Sequence, residues 1–169
     1  MRPGVRDTMV DEELRRRALE IWQRAYECQM RGELEEAVRL YQESLAVCPT
    51  AEAHTFLGWT YSFQGKVEEA IAECHKAIAV DPDFGNPYND IGAYLVQLGD
   101  LDGAVPWLER AKQARRYEPR QYPYVNLARI YLRRGQWAEA RRELQEAVRI
   151  APRDPQARKL LHELLGRFN

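Results

Sequence analysis

Residues Ala51 to Phe84 read AEAHTFLGWTYSFQGKVEEAIAECHKAIAVDPDF. Leu57 and Tyr61 fall one helical turn apart, and Ala70 and Ala77 two turns apart, so the stretch predicts two helices, over 52–64 and 67–80. Gly65 separates them, where glycine supplies the left-handed backbone that ends a helix cheaply. Pro82 stops the second helix. The unit is therefore a helical hairpin of about 34 residues, a length at which repeat architectures are built.

Outward from that unit, the same marks recur. Turn glycines stand at Gly32, Gly65, Gly99 and Gly135. Each is followed five residues later by Ala37, Ala70, Ala104 or Ala140. Seven residues before each stands a small residue, Ala25, Gly58, Gly92 or Ala128, as close helix crossing requires. Pro49, Pro82 and Pro152 hold the same late slot; Pro119 comes three residues late, which predicts a longer second helix there. Pro106 lies about one turn into that helix and predicts a late start or a bend. The predicted helices span 11–31, 34–48, 52–64, 67–80, 86–98, 102–117, 121–134, 137–150 and 155–166. Residues 1–10 are expected to be disordered.

Four registered hairpins with these residues resemble the tetratricopeptide repeat family from about Ala18 to Asp154. The resemblance implies an all-α, right-handed superhelical solenoid of antiparallel helix pairs with a concave groove. It divides the chain into repeats at about 18–50, 51–84, 85–120 and 121–154, with a capping helix over 155–169, all in one domain spanning 11–169. The first repeat departs most, with Arg24 where the others carry Leu57, Ile91 and Leu127.

In this family the groove is lined by the side of each first helix that faces away from its core slots. That stripe is aromatic in the first two repeats: Trp22, Tyr26, Met30, Trp59 and Phe63, with Phe56 in the same stripe. Exposed apolar patches mark binding surfaces, and aromatic side chains dominate their energetics. In the last two repeats the stripe offers Asn89, Asn126, Arg129 and Arg133, which could hold a peptide backbone and an acidic group. The family's carboxylate clamp for chaperone tails is absent, since the matching positions hold Trp22, Tyr26, Phe56, Asn86 and Asp90.

Charge is polarised along the 169-residue chain, although the total is only -1. Residues 33–109 hold 3 basic and 14 acidic side chains, whereas residues 110–169 hold 15 and 6. That asymmetry offers a second reading, a homo-oligomer joined through an acidic middle and a basic C-terminal third. Nucleic acid is not an expected partner: the Arg115, Arg116, Tyr117, Arg120 cluster adjoins a helix end, where cations are favoured anyway.

No enzyme is expected. His54 and His75 lack a third ligand, and no Ser/His/Asp set, phosphate loop or HExxH is present. No cofactor and no metal are expected. The three cysteines form no CxxC motif, which favours a reducing compartment, the cytoplasm. No apolar run is long enough to span a membrane. The expected function is a non-catalytic adaptor or scaffold that binds a protein or peptide segment.

Overall fold

The computed structural model describes residues 4–167, with side chains from Asp11 onward. Among them it is all-α. Helices α1 (Gly4–Met30), α2 (Leu34–Val47), α3 (Ala51–Phe63) and α4 (Val67–Val80) belong to one compact unit, Met1–Pro82. Helices α5 (Asn86–Leu98), α6 (Leu101–Gln113), α7 (Tyr122–Arg133), α8 (Trp137–Ile150) and α9 (Pro155–Gly166) belong to a second, Asp83–Asn169. Each unit carries two of the four helix pairs.

The turns follow from their glycines. Gly32, Gly65, Gly99 and Gly135 all have positive φ, between 69° and 89°. A β-carbon is strained in that region, so the four positions need glycine to reverse the chain in so few residues. Three helices are also capped at their N-termini, where the side chains of Thr50, Asp100 and Asp154 accept from the backbone N–H of Ala53, Gly103 and Ala157. These bonds satisfy donors that a helix start otherwise leaves open.

Small residues set the helix crossings. Ala25 and Ala128 are fully buried. A β-carbon on Gly92 would lie 2.6 Å from Leu108, and one on Gly58 only 3.1 Å from the Ala70 carbonyl oxygen. The core of the first unit is Ile21, Ala25, Cys28, Ala37, Leu40, Tyr41 and Leu57. In the second unit Ala104, Leu108, Leu127 and Ile130 form one cluster. Ala128, Ala140, Leu144 and Leu164 join α9 to α7 and α8 in another. Serine also serves this packing: the Ser44 hydroxyl donates to the Ala18 carbonyl at 2.7 Å, which ties the end of α2 to the middle of α1.

Three boundaries differ from the sequence pattern. Helix α1 starts at Gly4, so most of the stretch expected to be disordered has a helical backbone; residues 1–3 of it lie outside the described residues. Helix α6 starts on time, at Leu101, because Asp100 caps it, and Pro106 is accommodated inside it. The same helix ends at Gln113, short of the expected 117. The residues beyond it turn extended instead: Gly85 N–H donates to the Arg116 carbonyl at 2.8 Å, and Arg116 N–H to the Asp83 carbonyl at 3.0 Å. Those two bonds form a short parallel bridge between Phe84 and Arg116, and a further turn of helix would break it. Gly85 permits the approach, since a β-carbon there would lie 2.5 Å from Tyr117.

Candidate functional site

In the first unit, α1 presents Trp22, Tyr26 and Met30 at four-residue steps, and α3 presents Phe56, Trp59 and Phe63. These spacings put each set on one helical face. The rings meet. Trp22 and Tyr26 stack nearly parallel at 5.7 Å, and each meets Phe56 edge to face, at 5.0 and 5.6 Å. Phe56 also contacts Trp59 at 5.0 Å and Tyr41 at 6.3 Å. The buried indole N–H of Trp22 finds no acceptor among the described residues, so ring packing holds this stack together.

Burial sorts the group into two roles. Phe56, Trp22 and Trp59 are partly buried, and Phe56 is the hub. Tyr26, Met30 and Phe63 face outward, at 38%, 68% and 65% exposure. Phe56 is not among the anchors expected from the sequence, although its stripe position is visible there. Only the packing of α1, α2 and α3 brings four rings onto it. Beside the stack, Ala18, Leu19, Trp22, Ser44, Thr50 and Glu52 line a mainly apolar cleft of about 330 Å³.

In the second unit the expected polar residues form a chain. Asn126 Nδ2 donates to Asn89 Oδ1 at 2.9 Å, Arg129 donates to Asn126 Oδ1 at 3.3 Å, and Asn89 Nδ2 donates to Asp90 at 3.3 Å. Asn89 and Asp90 are 7% exposed, so the Asn89 amide is committed to its neighbours more than the sequence reading expected. Arg133 lies one turn beyond Arg129; it is exposed, and its side chain has no hydrogen bond or ion pair among the described residues.

The histidine expected at a packing slot is there, and it is paired. His54 Nδ1 lies 2.6 Å from Glu73 Oε2, and Lys76 Nζ lies 2.6 Å from the other carboxylate oxygen. Burial pushes the Glu73 carboxyl upward, but the hydrogen bonds from His54 and Lys76 outweigh it and hold its pKa below the usual carboxylate value. Cys28 and Cys74 are buried free thiols, and Cys48 is half-buried. No group of three potential metal ligands occurs among the described residues, and no helix is long and apolar enough to cross a membrane.

Comparison with known proteins gives the fold its setting. Family profiles described as tetratricopeptide repeat match residues 18–52, 51–84 and 83–153. A structure of pilF from Pseudomonas aeruginosa is 24% identical over 92% of this chain and 69% of its own, with a TM-score of 0.82. PilW, a widely conserved type IV pilus biogenesis factor, is 19% identical over 87% and 68%, with a TM-score of 0.78. YrrB, a TPR protein with an unusual peptide-binding site, is 21% identical over 89% and 77%, with a TM-score of 0.65. At these identities the structures share the fold alone. With the profiles covering the four hairpins and the turn glycines in place, the chain belongs to the tetratricopeptide repeat family, a family of protein-interaction repeat modules.

Proposed function

We propose that the protein is a non-catalytic adaptor that binds a peptide or protein segment on the faces of its first helices. The observation that carries this reading is the aromatic face of the first unit. Tyr26 stands outward on a stack whose inner member is Phe56, and Met30 and Phe63 extend the same helical faces into solvent. Apolar groups kept in water on a rigid base are the usual makings of a binding hot spot. An occupant with apolar side chains at helical or alternating spacing would cover them. In the second unit, the Arg133 side chain has no ion pair among the described residues and suits an acidic side chain, while Asn126 and Arg129 hold the register of that face. Repeats of this family are typically non-catalytic, which agrees with an adaptor. YrrB, of the same fold, is described as having a peptide-binding site, which lends the reading support by analogy only. Cytoplasmic residence belongs to the same reading, motivated by the free thiols of Cys28, Cys48 and Cys74.

The test is a selection of displayed peptides on the whole protein, followed by calorimetry of the selected sequence. Met30→Ser/Phe63→Ser changes only exposed side chains and should leave the circular dichroism spectrum unchanged. The peptide should bind that variant at least about tenfold more weakly, the loss expected for truncated hot-spot residues. Equal affinity for both proteins would overturn the assignment of this face.

A further inference from the structure

We infer that the protein pairs with a second copy of itself through the N-terminal part of α1, the two helices lying antiparallel about a two-fold axis at Leu14.

That part of α1 stands clear of its own unit. Pairing with α2 reaches back to Ala18, which is buried and whose carbonyl accepts from Ser44 near the end of α2. The helix nevertheless runs on from there to Gly4. Every residue from Asp11 to Arg17 is exposed, Leu14 among them at 39%. A helical extension this short is marginal in water without packing, so an occupant adds to its stability.

The order of charges specifies that occupant. Residues 11–17 read DEELRRR: Asp11, Glu12 and Glu13, then Leu14, then Arg15, Arg16 and Arg17. The segment as a whole is balanced in charge, but this block is its own complement when read backwards. With two copies antiparallel about Leu14, Asp11 of one stands level with Arg17 of the other, Glu12 with Arg16, and Glu13 with Arg15. Two-fold symmetry makes each match twice. Parallel helices in register would set acid on acid and base on base, so the charges also select the direction. Three consecutive residues at about 100° steps surround most of a helix, so an acidic turn meets a basic turn whichever side faces the partner. Farther out, Glu20 falls level with Thr8 and Asp7 with Ile21, so like charges are not opposed there.

All six charges are available. Asp11 and Arg15, Glu12 and Arg16, and Glu13 and Arg17 are each four residues apart, a spacing that permits ion pairs along one helix. None of the six nonetheless has an ion pair among the described residues. Elsewhere in the chain such pairs do form, as between Arg39 and Glu43 and between Arg149 and Glu146. Packed helices cross at an angle, so contact fades within a few residues of the crossing at Leu14. A contact that small is weak, and because the two patches are identical it closes at the dimer.

Sedimentation velocity of the whole chain, from about 5 to about 500 µM, tests this at about 50 mM and about 500 mM salt. The wild-type protein should pass from monomer to dimer with rising concentration in low salt, stop at the dimer, and dissociate in high salt. Glu12→Arg/Glu13→Arg and Arg15→Glu/Arg16→Glu each turn the inner matches into like-charge contacts. Each should weaken the dimer at least about tenfold while keeping the wild-type circular dichroism spectrum. An equimolar mixture of the two variants should dimerise again, because a basic block then faces an acidic one. A monomer at every concentration, association that continues past the dimer, dimers indifferent to the reversals, or a mixture that fails to recover would each overturn the proposal.

Discussion

Phe56→Ala against Phe63→Ser separates support from contact on the aromatic face. Phe56 meets four rings at centroid distances from 5.0 to 6.3 Å and is partly buried. Full truncation of a buried phenylalanine costs about 3–5 kcal/mol. Partial exposure places Phe56 at the low end, while its two edge-to-face pairs are each worth roughly 0.5–1.5 kcal/mol beyond area burial. These contributions overlap, so the expected loss is about 3 kcal/mol. Phe63 is on the same helical face but 65% exposed, and its replacement should change stability by no more than about 0.5 kcal/mol. Urea unfolding read by tryptophan fluorescence measures both. Trp22 and Trp59 report on the first unit; Trp107 and Trp137 lie in the second and are replaced by phenylalanine in the background protein. With a denaturant slope of roughly 1–3 kcal/mol per molar, the Phe56→Ala midpoint should fall by about 2 M, and the Phe63→Ser midpoint should barely move. Binding should respond the other way for Phe63, with affinity lost and stability kept. A Phe56→Ala midpoint within about 0.5 M of the wild type would refute the reading of Phe56 as the hub.

Gly92→Ala should destabilise the second unit by about 1–3 kcal/mol through the overlap with Leu108, measured by the Trp107 and Trp137 transition. Pro106→Ala should do the opposite. Pro106 is exposed inside α6, where it denies the helix one backbone hydrogen bond, so alanine should raise stability by at least about 1 kcal/mol; an unchanged or lower melting temperature would contradict this. Glu73 has a folded-state pKa below its unfolded value, so its stabilising contribution is complete above the unfolded pKa of about 4.3 and is lost as pH falls through the folded value. Unfolding free energies from pH 3 to 7 should therefore fall less steeply on acidification for Glu73→Gln than for the wild type, and parallel curves would count against the His54–Glu73–Lys76 cluster as the source.

The four hairpins were legible in sequence because local chemistry specifies them. Gly32, Gly65, Gly99 and Gly135 are needed for left-handed turns wherever the chain is met, and Ala37, Ala70, Ala104 and Ala140 are all buried in the helices that follow, Ala37 and Ala70 at 0% exposure. Helical periodicity likewise placed Trp22, Tyr26 and Met30 on one face before any contact was known. Tertiary structure alone decided which of them are open. Phe56 became the inner ring and Phe63 the outer one because α1 packs against the start of α3, a matter of distance that no spacing rule encodes. Asn89 and Asp90 were drawn inward, where the Asn89 amide is satisfied by Asn126, 37 residues away, and by the Asp90 carboxylate. The end of α6 was decided in the same manner: backbone groups of Arg116 bond to Asp83 and Gly85, and two hydrogen bonds to a distant segment outweigh another helical turn. Repetition is written in each residue's own conformational preference; exposure is the product of what the rest of the chain brings up against it.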